Sequence, residues 1–125
     1  MSFTHQVTEK VLVGGESITK TNTLTSGSKV SIDESLSIGT DTLVALTLDV
    51  SQVKSAYIVA DTAMTLETNS SGSPANTLTL VAGLPYVWYT NKYDSFKLTT
   101  DVTALYVTNA AAGRLQMEFL VDPTV

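Results

Sequence analysis

His5 is the chain's single histidine and cysteine is absent, so the side chains best suited to nucleophilic attack, proton transfer near neutrality or soft-metal binding are nearly missing. A Ser-His-Asp arrangement would have to use His5, in a segment expected to be too mobile for sub-ångström positioning. Disulfides, thiolate sites and multi-histidine zinc or iron sites are excluded by composition. Carboxylates remain. Any two of Asp33, Glu34, Asp41, Asp61, Glu67, Asp94, Asp101 and Glu118 could act as an acid–base pair if the fold converged them. Asp33-Glu34, or Asp94 with Asp101, could offer oxygen to a hard cation, although neither lies in a defined calcium loop. No nucleophile elbow, Walker loop or dinucleotide-binding turn occurs, and Gly14-Gly15-Glu16 lacks the lysine of a phosphate loop. The expectation is a protein that is not an enzyme, with no catalytic residue, no cofactor and no metal ligand.

Aromatic residues are the second group with chemistry to offer. Tyr86-Val87-Trp88-Tyr89 is followed closely by Tyr93 and Phe96. On a strand, Tyr86 and Trp88 share one face while Val87 and Tyr89 share the other. One set can therefore fill a core, with Trp88 at its centre, and the other can meet a carbohydrate or a protein.

These residues must be held by strands. Thr occurs 20 times and Ser 13 times, and many Thr alternate with Val, Leu or Ile at the period of a β-strand. Between Ser17 and Thr25 every odd position is Ser or Thr, with Ile18 and Leu24 flanking Lys20 and Asn22 on the opposite face, the pattern of an edge or weakly buried strand. Val30, Ile32, Leu36 and Ile38 form one apolar row interrupted by Glu34, and Val44, Leu46 and Leu48 form the next; both are expected to be half-buried. The segment Asp101–Asn109 reads as a strand with apolar groups on both faces. Ser51 is placed to cap one helical turn after Asp49. Turn residues recur at Gly14-Gly15, Gly27, Gly39 to Asp41, Asn69 to Asn76, Gly83 with Pro85, Asn91 to Ser95, and Asn109 to Gly113. Spacing of roughly 8–12 residues between such turns is the rhythm of a sandwich or barrel. The predicted fold is all-β: one antiparallel β-sandwich over residues 1–125, jelly-roll-like, with about eight to ten strands and residues 1–12 as an extended N-terminal arm.

A formal net charge of −5 leaves no basic footprint for phosphate backbones, so nucleic acid is not an expected partner. The opening Met1-Ser2-Phe3-Thr4-His5-Gln6 is polar from its second residue, unlike a secretory leader, and the longest uncharged run, Thr68 to Asn91, is broken by polar residues and Pro. No membrane partner is expected. Asn69-Ser70-Ser71 matches a glycosylation sequon and is read as a polar loop tip.

The C-terminal half carries a resemblance. Leu66-Glu67-Thr68-Asn69-Ser70-Ser71-Gly72-Ser73-Pro74, Thr77-Leu78-Thr79-Leu80, Leu84-Pro85-Tyr86-Val87-Trp88, Asp101 to Asn109 and Leu120-Val121-Asp122-Pro123-Thr124 resemble, in that order, small virion proteins of tailed bacteriophages. The resemblance implies a structural component of the virion, assembled in the bacterial host cytoplasm: a capsid decoration or cement protein, or a small tail or neck subunit. It also implies contact with other virion proteins such as the major capsid protein, and a homo-oligomer. Under it, Phe3, His5, Tyr86, Trp88, Tyr89, Tyr93 and Phe96 are the candidate interface residues. A carbohydrate-binding module is the main alternative; an adhesin subunit and a hydrolase on the same fold are the others.

Overall fold

The computed structural model describes residues 2–124; Met1, the first residue of the expected arm, and Val125 lie outside the described residues. Ten strands are found among them: β1 (Phe3–Val13), β2 (Glu16–Ser26), β3 (Ser28–Leu36), β4 (Gly39–Val44), β5 (Val53–Ala60), β6 (Met64–Thr68), β7 (Thr77–Leu80), β8 (Tyr86–Tyr89), β9 (Leu105–Asn109) and β10 (Gly113–Val121). All pairings are antiparallel. Eight strands form two four-stranded sheets, in the orders β3-β10-β5-β8 and β4-β9-β6-β7, while β1 and β2 pair only with each other. The all-β antiparallel sandwich expected from the Thr/Val alternation is therefore the observed architecture.

Period-two patterning builds its core. Leu115, Met117, Phe119 and Val121 of β10 and Ala56, Ile58 and Ala60 of β5 point inward, against Met64, Leu66, Leu78, Leu80, Leu105 and Val107 of the other sheet. Each large apolar side chain so buried stabilises the fold by about 1.5–3 kcal/mol relative to exposure. Val44, Leu46 and Leu48 are buried while Leu43, Ala45 and Thr47 between them are exposed, the half-buried alternation expected, carried through β4 and on to a bridge between Leu48 and Val102. Ile38 departs from its predicted row: β3 ends at Leu36, the chain changes sheets, and the side chain is exposed. The predicted helical turn exists as a 3-10 turn at Val50–Gln52, but Asp49 caps it, accepting from the Ser51 backbone N–H.

The Asp101–Asn109 segment becomes regular only at Leu105. Two asparagines hold its irregular start and the residues that lead into it. Asn69, at φ +70°, donates through Nδ2 to the Asp101 carbonyl and accepts through Oδ1 from the Thr103 N–H and hydroxyl. Asn76 Oδ1 accepts from the Thr99 and Thr100 N–H groups. The sequon asparagine is thus a bracket between loops rather than a free tip.

Candidate interaction surface

A two-residue turn with positive φ at Gly14 (+56°) and Gly15 (+88°) joins β1 to β2, the conformation that matches the twist of a tight hairpin and that glycine adopts without steric cost. The pairing runs unbroken from Phe3↔Ser26 to Val13↔Glu16. The projecting element is thus a double-stranded arm spanning Phe3–Ser26, rather than a single extended segment of twelve residues.

Alternation gives this arm two unlike faces. One carries Phe3, His5, Val7, Glu9, Val11 and Val13 with their partners Ser26, Leu24, Asn22, Lys20, Ile18 and Glu16; the other is a ladder of Thr4, Gln6, Thr8 and Lys10 against Thr25, Thr23, Thr21 and Thr19, closed by Leu12 opposite Ser17. The first face lies on the outer surface of the β3-β10-β5-β8 sheet, along the cross-strand row Lys29, Leu120, Ser55, Tyr89. The Lys29 ammonium sits over the Phe3 ring, 5.2 Å from its centre. His5 Nδ1 shares a hydrogen bond with Ser55 Oγ, the Ser26 hydroxyl donates to the Val121 carbonyl, Lys54 Nζ donates to the Thr25 carbonyl, and the Tyr89 hydroxyl donates to Glu9. Leu120 and Ser55 point away from the sandwich core yet are buried under this cover. Burial lowers the His5 pKa, with Lys29 acting in the same sense and Glu118 against it. The hydrogen bond to Glu9 raises that of Tyr89.

The contacts advance from β3 at Phe3 to β8 at Glu9, so the arm crosses the sheet from edge to edge and its outer end continues past β8. Every residue from Thr8 to Thr21 is exposed. Val11 (56%), Val13 (67%) and Ile18 (74%) extend the face that docks at the base, but here none of the described residues covers it. Beside the base, the step between β1 and the sheet forms a groove of about 260 Å³ lined by Thr4, His5, Gln6, Val7, Ser55, Ala56, Tyr57 and Glu118.

The aromatic candidates divide among three places. Phe3, His5 and Tyr89 lie along the contact between arm and sheet but at successive points across it, with Lys29 of β3, Ser55 of β5 and Glu9 of the arm as their respective partners. Tyr86 and Trp88 face inward opposite Ile58 and Ala56 and stack with Phe96, whose ring centre is 4.8 Å from that of Trp88; the Trp88 indole N–H donates to the Asp94 carbonyl. Trp88 therefore closes the edge of the core, while Phe119 occupies its interior. Tyr93 stands fully exposed, away from both groups. The interface expected from spacing did not include Val11, Val13, Lys20 or Tyr57, and Glu118 entered only among the eight possible acid–base carboxylates. The arm residues were legible in principle, since Val7, Val11 and Val13 alternate up to the Gly-Gly turn that Ile18 and Leu24 mirror. Tyr57 and Glu118 join them only through sheet pairing.

Among the described residues no three His, Asp or Glu side chains converge as metal ligands, and three of the candidate carboxylates take structural tasks: Asp33 pairs with Arg114, Asp61 accepts from the Arg114 N–H, and Asp101 accepts from the Val50 N–H. Among the described residues no helix is long and apolar enough to cross a membrane. Comparison with family models, curated proteins and solved structures returns no match.

Proposed function

We propose that this chain is a non-enzymatic structural protein of a tailed-bacteriophage virion, a decoration or cement protein that binds across joints between capsid subunits. The observation that carries this reading is the overhanging arm. A packed sandwich holds the base of the hairpin rigidly, and the apolar face of its outer end is left without an intramolecular partner, an arrangement suited to gripping a neighbouring subunit. The strand order adds support. Counting β3 to β10 as first to eighth, the sheets read first-eighth-third-sixth and second-seventh-fourth-fifth, an order that supports reading the sandwich as a jelly roll. Ligands that bind only the assembled particle stabilise it by mass action, which needs surfaces and no cofactor.

The test is sedimentation of phage particles assembled without this protein after incubation with the purified chain. Saturable binding at a copy number set by capsid symmetry is the expected result. Absence from the particle pellet at about 10 μM, well above the Kd of a useful cement, would overturn the reading. Saturable change of Trp88 fluorescence with glycans would then favour a carbohydrate-binding module, and binding confined to tails would favour a tail or neck subunit.

A further inference from the structure

We infer that the overhanging end of the arm docks on a second copy of this chain, in the groove beside that copy's own arm. The overhang and the docked base are one continuous face of one hairpin. Its inner half, with Phe3, His5, Val7 and Leu24, covers the row Lys29, Leu120, Ser55, Tyr89 on its own sheet. The next row of that outer surface, Ser31, Glu118, Tyr57 and Val87, lies uncovered alongside, with Tyr57 exposed. The groove is the step between that row and β1, whose outer backbone edge is unpaired. A two-stranded ribbon laid there would place Val11, Val13 and Ile18 over Tyr57, as Phe3 and Val7 lie on the first row, and could extend the ribbon at the free edge of β1.

Charge specifies the same occupant. Two ionisable side chains of the overhang's docking face, Lys20 between Ile18 and Asn22 and Glu16 beside the turn, have no hydrogen-bond or ion-pair partner among the described residues, and Lys20 is the one that lies nearer the base. Its cross-strand neighbour Glu9 is held by Tyr89. The groove carries one acidic residue, Glu118, which accepts from the Ser31 hydroxyl. An arm seated in the groove brings the spare ammonium to that carboxylate. Each copy owns both a tip and a groove, so the contact either reciprocates in a two-fold dimer or runs head to tail around a closed ring. This deepens the structural reading by naming a partner, yet it stands on the arm's geometry alone: a chain that self-associates through the arm and ignores capsids removes the cement reading and leaves this one.

Sedimentation equilibrium of the full chain across a concentration series tests it, with far-UV circular dichroism and Trp88 fluorescence confirming that each variant is folded. The wild type is expected to form a discrete oligomer, and Val11→Asp with Ile18→Asp to weaken association by at least about tenfold. Lys20→Glu alone and Glu118→Lys alone should each weaken it, and their combination should restore it. A wild type that stays monomeric up to about 1 mM, an oligomer indifferent to the tip substitutions, or a charge exchange that fails to rescue would each overturn the inference.

Discussion

Where β1 meets the sheet, burial disfavours the charged form of His5, so the folded chain binds this proton more weakly than the unfolded chain does. The stabilisation from the neutral ring against Ser55 is complete above the ordinary histidine value of about 6.5 and is lost as pH falls through the lower folded-state pKa. Glu118 from β10 tempers the shift and Lys29 from β3 adds to it. An NMR titration of His5 should give a midpoint below that of a free histidine, and amide protection of Phe3 to Val7 should fall on acidification in the wild type but not in His5→Gln. A midpoint at or above the free value would show that the ring is not covered. Asn69 acts at the same scale. Asn69→Ala removes three hydrogen bonds and leaves a β-carbon at positive φ, so a loss of about 1–3 kcal/mol is expected. That corresponds to a fall of several degrees in Tm, readable by calorimetry.

At the scale of elements, the hairpin is divided by the edge of the sheet it crosses. An isolated two-stranded ribbon is marginal in water, and the inner half escapes that limit by covering Leu120 and Ser55. The two halves should therefore answer substitution differently. At dilutions where the chain is monomeric, Val11→Thr with Ile18→Thr should change stability by less than about 0.5 kcal/mol, whereas Leu120→Ala should cost about 2–5 kcal/mol. Urea denaturation gives both values. Comparable losses would mean that the tip packs on its own body. A β-hairpin was only partly legible: the Gly14-Gly15 turn and the Ser17–Thr25 strand stood out, but the strand before them was obscured by its exposed, mixed composition.

For the molecule as a whole, one core joins both sheets, and Phe119 lies fully buried within it. Phe119→Ala should cost about 3–5 kcal/mol and lower the urea midpoint with little change in slope, because the sheets share that core and unfold together. Two separated transitions would show that the sheets are independent. The pairing of β3 with β10 and of β4 with β9 brings distant segments together, so closing the core carries the loop-closure entropy of long intervening segments.

Alternation of Thr with Val, Leu and Ile determined the all-β class and most of the inward-facing residues, because strand patterning is local and a side chain's face follows from its parity, while Gly, Asn, Asp and Pro marked the turns. Parity also told that Tyr86 and Trp88 face one way and Tyr89 the other. What parity does not carry is which strands become neighbours. Trp88 settles at the core's edge because β8 is the last strand of its sheet, Ile38 is exposed because the chain changes sheets there, and Asn69 becomes a bracket because the Asp101 to Thr103 loop passes it. The arm's dual character likewise arises only in three dimensions: Val7 and Val11 share one face of one strand, and the position of β8 beneath them leaves one covered and the other free.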